Sequence, residues 1–359
     1  MSIDNPNLDL DVGSSTTPRH RHAREQRRPL RWIILGIVVL FVIIIGYYEV
    51  ENHAIIASGS GSSVITVSSG ESASQVFGDM ANKNIIGSAT MMRLYVTIHG
   101  TPTILPGSYQ MPQASTFGAA STLLNAGPNI IPVEVPAGFT FKEIVNRIAA
   151  FGATKVADAM VAAEKSGAVR SPFESASMNN LEGLLAPGEY LIKPTDTGAG
   201  VLQLMVNRFV SLAAANGLTP STKVSGLDAY ELVTAASIVE KEGYFAVNMP
   251  KVARVIYNRL AKAMPLQMDS TILYALGRDG GTVTSADLAI HSPYNTYLNA
   301  GLPPTPTCMA SGEAIHAVMN APEGAWLYFV VINKAGVEAF SNTYAEQLAN
   351  EALARAAGV

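Results

Sequence analysis

Two carboxylates one residue apart, Glu240 and Glu242, close the otherwise small and apolar stretch from Ala235 to Gly243. Charge is expensive to bury, so acids in such a setting need an explanation. A carboxyl held against apolar neighbours keeps its proton more readily, and a neutral carboxyl near pH 7 can give that proton to a leaving oxygen. The competing explanation is a plain helix end, with both glutamates solvated or paired to Lys241 or an arginine, because ion-pair networks also perturb carboxylates.

The element that must position these acids is a helix predicted over 229–242. Asp228 and Glu231 have capping-box spacing, and Ala229, Leu232, Val233, Ala236 and Val239 recur at helical intervals. At ~100° per residue Glu240 falls inside that apolar stripe, while Glu242 lies roughly 200° round, beside Ala235 and Ile238. The stripe therefore favours Glu240 as the half-buried acid. Asp269 has the position of an N-cap for a helix through Tyr274 and Leu276, which accounts for it without chemistry. His291–Tyr297 and Gly301–Pro306 are loops dense in aromatics, amides and prolines, and long shaped loops are often functional.

Other chemistries leave no mark. There is no Gly-rich phosphate loop, no His-Glu-x-x-His, and neither a Ser-x-x-Lys nor a Gly-x-Ser-x-Gly nucleophile; His53, His99, His291 and His316 are scattered. The single cysteine, Cys308, can form no internal disulfide and no cysteine-based zinc cluster. Carboxylate chemistry in a polar, aromatic-lined groove remains, and it suits sugar polymers.

Trp32 to Tyr48 is an unbroken apolar run, bounded by Trp32 and by Tyr47 and Tyr48 as interfacial anchors would bound it. Arg19, Arg21, Arg24, Arg27, Arg28 and Arg31 precede it and Glu49 and Glu51 follow, so the positive-inside rule places the N-terminus in the cytoplasm and the rest of the chain outside. No clean small-residue cleavage site follows the run, which favours an uncleaved anchor over a signal peptide. The arginines are explained by the membrane beside them. With a net charge of −4 and no basic stripe, nucleic-acid binding is not expected.

The remaining expectations run in chain order. Residues 1–31 form a disordered basic tail, 32–49 the transmembrane helix and 50–63 a linker with a Gly/Ser spacer at Ala57–Ser63. From 64 to 130 a strand at Val64–Val67, helices around Phe77 and Leu94, a strand at Gly107–Met111 and a helix over Thr116–Asn125 make a small αβ unit. A second unit, 131–359, opens with a strand at Ile131–Val135 and a capping box at Thr140 and Glu143. It continues through Leu181–Tyr190, which mixes turn residues with Glu182 and Glu189, to a helix over Val252–Leu260. A strand at Trp326–Ile332, a hairpin through Val337–Ser341 and a C-terminal helix from Thr343 complete it. The fold class is α+β: one N-terminal transmembrane helix, a small αβ subdomain, then a mixed α/β domain.

Several stretches occur together in an order that resembles one family. They are Leu181-Glu182-Gly183, Ala236 to Glu242, Tyr257-Asn258-Arg259-Leu260, Met264 to Gln267 with Asp269 and Thr271, Ser292 to Tyr297, Gly301 to Pro304, and Tyr328-Phe329-Val330. The chain from the anchor to near its C-terminus resembles the YceG-like endolytic murein transglycosylases. That resemblance implies a LysM-like subdomain at 64–130 and a catalytic domain at 131–359. It implies a bacterial inner-membrane lyase that cuts the MurNAc–GlcNAc β-1,4 bond within nascent peptidoglycan strands, leaves 1,6-anhydro-MurNAc ends, uses no cofactor or metal, and works near peptidoglycan synthases and elongation or division proteins.

The family's catalytic acid maps to Glu242, against the stripe argument, leaving Glu240 as the second candidate or a supporting partner. Asn258, Gln267, Asp269, Tyr294, Asn295, Tyr297 and Glu182 are the candidates for holding substrate. The resemblance is not complete. Gly243 stands where a threonine is usual, Thr305 to Ala310 replace a Gly-Pro-Ile-rich continuation, Val337 to Phe340 lack the usual histidine, and Gln347 stands where another is expected. Two alternatives follow: a non-catalytic peptidoglycan-binding scaffold, and a true glycoside hydrolase with Glu182 or Asp269 as second carboxylate.

Overall fold

A computed structural model describes residues 27–53, 60–175, 177–243 and 245–359. Residues 1–26 of the expected disordered tail and 57–59 of the Gly/Ser spacer lie outside the described residues; 27–31, expected in the tail, open α1, and Ser62 and Ser63, expected in the spacer, open β1. In chain order the elements are α1 (Arg27–Asn52), β1 (Ser62–Val67), α2 (Ala73–Asn82), α3 (Ala89–His99), β2 (Gly107–Pro112), α4 (Phe117–Ala126), β3 (Ile131–Val135), α5 (Phe141–Ala150), α6 (Thr154–Ser166), β4 (Gly188–Ile192), α7 (Gly198–Ala215), α8 (Ala229–Glu242), α9 (Met249–Ala261), α10 (Asp269–Ala275), α11 (Ser285–Leu288), α12 (Gly312–Met319), β5 (Tyr328–Val331), β6 (Glu338–Ser341) and α13 (Tyr344–Ala357). They divide into two compact units, the first ending at Gly127 and the second made of Gly107–Tyr109 and Pro128–Val359.

In the first unit α1 is long and apolar enough to cross a membrane over Leu30–Val50, and its apolar side chains from Leu30 to Ile45 stay exposed. β1 and β2 form a two-stranded sheet. The helices begin where hydroxyls can take up free N–H groups: Ser72 forms a capping box with Gln75, and Ser88 and Thr116 cap α3 and α4. Val76, Phe77, Met80, Met92, Phe117 and Leu124 are buried.

The second unit has two apolar clusters joined by α7. Antiparallel β3 and β4, with Val133 opposite Tyr190, pack with α5 and α6 through Val135, Ile144, Ile148 and Met160. The first half of α7 adds Val201, Leu202, Met205 and Val206 to this cluster. Its second half adds Phe209 and Ala213 to the other, built from α8, α9 and α12. α7 passes close to α6 because of Gly198: a Cβ there would lie 2.1 Å from the carbonyl carbon of Ala159. Its length and composition suit a membrane span, yet its apolar residues are shared between the two clusters.

The predicted helix over 229–242 is α8, with both halves of the Asp228–Glu231 capping box formed. Every residue from Leu232 to Val239 is buried, so α8 is enclosed on all sides and has no single apolar stripe. The strand expected at Trp326–Ile332 is shorter, Tyr328–Val331, paired antiparallel with β6. Its N-terminal approach is held as loop because the Asn258 amide donates to the carbonyls of Gly324 and Trp326, at 3.0 and 2.8 Å.

Candidate active site

Glu242 ends α8 half-buried and lines two cavities of the second unit. One, about 240 Å³, is bounded by Thr140, Lys241, Ser270, Tyr274, Arg278 and Thr307. The other, about 350 Å³, is bounded by Arg259, Gln267, Tyr297, Tyr328, Tyr344 and Gln347. Asp269 is the other side chain common to both. A larger groove of about 760 Å³ runs along β3 and β4, lined by Pro132, Glu134, Arg147 and Phe151, and does not reach Glu242.

The Glu242 carboxylate accepts the Ser270 N–H at 3.0 Å, in the first turn of α10. Burial pushes its pKa up; hydrogen bonding from Ser270 opposes this, while the charges of Asp269 and Glu338 add to it. Its place at the C-terminal end of α8 also favours the neutral form. The site therefore contains a carboxyl biased toward keeping its proton, opening onto space on two sides.

Glu240 has a different task. Its Oε2 accepts the Ser311 N–H at 2.9 Å and the Ser311 hydroxyl at 2.5 Å, at the N-cap of α12. The stripe argument for Glu240 as the acid is thus corrected: with α8 buried all round, the two glutamates differ in what their carboxyls meet, not in which faces the core. Lys241 pairs with Asp279 at 2.6 Å, so the lysine does not neutralise either glutamate.

Asp269 is not the N-cap of α10. Met268 holds that position without a side-chain cap, and Asp269, in the first turn, accepts the Tyr297 hydroxyl at 2.6 Å. Gln267, with φ of 51°, lines the larger cavity and accepts from Arg259 at 3.3 Å. Gln267, Asp269 and Tyr297 thus converge with Glu242.

The other candidates line neither of these two cavities. Asn258 lines neither cavity and holds the loop before β5. Asn295 is fully buried: its amide donates to the carbonyls of Leu288 and Ile290, and its oxygen accepts from Tyr297 and Leu298, so every polar atom is used in shaping the loop. The Tyr294 hydroxyl meets Thr305 Oγ1 at 2.8 Å. Glu182, 7% exposed, accepts the Phe141 N–H at 2.9 Å and the Tyr274 hydroxyl at 3.2 Å, and lines neither cavity.

Three contributors were not singled out in the sequence. Arg259, within a motif where Asn258 drew attention, is 6% exposed; it donates to the carbonyls of Leu327, Pro265 and Leu266 and so ties α9, the loop before α10 and β5 together. Tyr274 forms a wall of the smaller cavity. Glu338, in the segment where the resemblance leads one to expect a histidine, places a negative charge that acts on Glu242. The departure at Thr305–Ala310 is accommodated by α8 itself: the Thr307 N–H donates to Ser237 Oγ at 2.9 Å, and Cys308 Sγ donates to the Ser237 carbonyl.

The sequence model of the YceG-like family matches residues 65–352, which takes in both units and every residue of this site. The chain belongs to the YceG-like family. An endolytic murein transglycosylase of Bacillus subtilis is 29% identical over 299 residues, 79% of this chain and 82% of the relative. One from Streptococcus pneumoniae is 37% identical over 177 residues, 47% of this chain and 31% of the relative. The crystal structure of a YceG-like protein from Listeria monocytogenes aligns with a TM-score of 0.52 at 28% identity, covering 81% of this chain and 99% of the other.

Proposed function

We propose that this YceG-like protein is an endolytic murein transglycosylase, cutting the MurNAc–GlcNAc β-1,4 bond within nascent glycan strands and so ending their elongation. The observation that carries the proposal is the position of Glu242, a carboxyl biased toward its neutral form where two cavities meet. A strand laid across Glu242 places a glycosidic oxygen beside one acid with room for sugar on each side. Protonated Glu242 gives its proton to that oxygen as the C1–O bond breaks. The resulting carboxylate takes the proton of the muramyl 6-hydroxyl, whose oxygen closes on C1. The glutamate ends protonated, the product carries a 1,6-anhydro ring, and no water is consumed.

Asp269, Gln267 and Tyr297 are placed to meet sugar hydroxyl and acetamido groups, and Glu240 supports α12. A hydrolase needs a second carboxylate at a set separation; Glu182 is committed elsewhere, and Asp269, which shares both cavities with Glu242, accepts the Tyr297 hydroxyl, so anhydro against reducing-end products decide between the two reactions. α1 serves as the membrane anchor, N-terminus in the cytoplasm and both units outside, and the first unit is read as LysM-like and glycan-binding. Partners among peptidoglycan synthases and the elongation or division machinery follow from acting on strands as they are made.

The test is mass spectrometry of peptidoglycan digested by the full chain as wild type, Glu242→Gln and Glu240→Gln. Anhydro-muramyl ends that vanish with Glu242→Gln and persist with Glu240→Gln support the proposal. Their loss only with Glu240→Gln would transfer the role, and a folded wild type that binds glycan without cutting it would mark a scaffold.

A further inference from the structure

The core-facing side of α3 is carried by Met92 and Val96, both buried. At ~100° per residue, Met91, Leu94 and Ile98 lie together on another flank, next to Tyr95. Leu94 is 38% and Ile98 64% exposed, an apolar stripe without cover among the described residues. Arg93 points elsewhere, its guanidinium donating to the hydroxyl and carbonyl of Ser74.

The depth of this stripe follows from α1, in the same unit. The apolar window Leu30–Val50 spans about 31 Å at 1.5 Å per residue, the thickness of a bilayer's hydrocarbon core. Tyr48 is thus at the boundary, where amphipathic rings settle. Its ring lies 6.3 Å from Phe117, and Phe117 lies 5.9 Å from Tyr95 on α3. Two ring contacts therefore hold α3 beside the point where α1 leaves the bilayer.

We infer that α3 is a membrane-interfacial helix whose Met91, Leu94 and Ile98 side chains rest among the lipids of the leaflet that the folded part of the chain faces. This rests on α1 spanning the membrane. The occupant is lipid rather than another protein because α3 is tied, by ring packing of Tyr95 and Tyr48 on the buried Phe117, to a helix already in the bilayer. A helix with one apolar and one polar flank lies in the interface plane. The first unit is then held by a helix and a surface.

The experiment uses the full chain in nanodiscs of phosphatidylethanolamine and phosphatidylglycerol, with an environment-sensitive fluorophore on an introduced cysteine. Cys308 is fully buried and stays unlabelled. Ile98→Cys and Leu94→Cys test the stripe, Thr97→Cys reports the adjoining polar flank that carries Arg93, and Val42→Cys reports α1. The expected result is blue-shifted emission at 94 and 98, quenched by nitroxide lipids labelled near the headgroup, with Thr97→Cys solvent-like and Val42→Cys quenched by deep nitroxides. Solvent-like emission at both 94 and 98 with Val42→Cys still quenched overturns the inference alone. Loss of quenching at Val42→Cys overturns the reading of α1 and the inference with it.

Discussion

Replacing Glu182 with glutamine should remove a pH-dependent loss of stability. Glu182 is 7% exposed, and burial is the main reason its pKa rises to about 7, with hydrogen bonds from Phe141 and Tyr274 pulling the other way and Glu143 adding to the rise. A carboxyl whose folded pKa lies above its ordinary 4.5 makes the folded state bind more protons between those values, so stability falls as pH rises through that window and levels off above about 7. At 1.36 kcal/mol per pH unit the loss comes to about 3 kcal/mol. Glutamine keeps the shape, accepts the Phe141 N–H and donates to the Tyr274 hydroxyl, but has no proton to lose. Urea unfolding of the full chain in detergent, wild type against Glu182→Gln from pH 4 to pH 8, isolates the effect because other titrating groups cancel in the difference. The variant should gain on the wild type by about 3 kcal/mol across the range. A difference that stays flat, or that moves toward the wild type, refutes the reasoning.

Removing Glu240 by Glu240→Ala should cost about 1–3 kcal/mol in unfolding free energy, since a charge-assisted pair to Ser311 at the α12 N-cap is lost, while anhydro products are still formed. Glu338→Gln removes a negative charge acting on Glu242, so Glu242 ionises more easily, and the pH at which activity falls on the alkaline side should move down in a turnover profile. Gly198→Ala drives a methyl into the backbone of α6 and should lower stability by about 1–3 kcal/mol or more, read as a lower urea midpoint with unchanged slope.

What could be read in advance was what is local in the chain. The capping boxes at Asp228 and Thr140 involve partners three residues apart, and both form as expected. α7 gave little signal because its apolar residues serve two clusters, which blurs the 3.6-residue period. The roles of Glu240 and Glu242 depend on Ser311 and Ser270, far along the chain, and helical geometry alone cannot supply those partners. Asn295 and Asn258 illustrate the converse: amides in motif-rich loops look ready for sugar, yet both are spent on neighbouring carbonyls. Arg259 does its work through carbonyls of residues up to 68 positions away, which no local pattern reveals.

The central claim is that Glu242 transfers protons within the substrate and water stays out of the reaction. Digesting peptidoglycan in water labelled with oxygen-18 tests it most directly. The account predicts anhydro-muramyl ends with no heavy oxygen, all of them absent with Glu242→Gln. Reducing muramyl ends carrying the label, formed as the primary product, would contradict it.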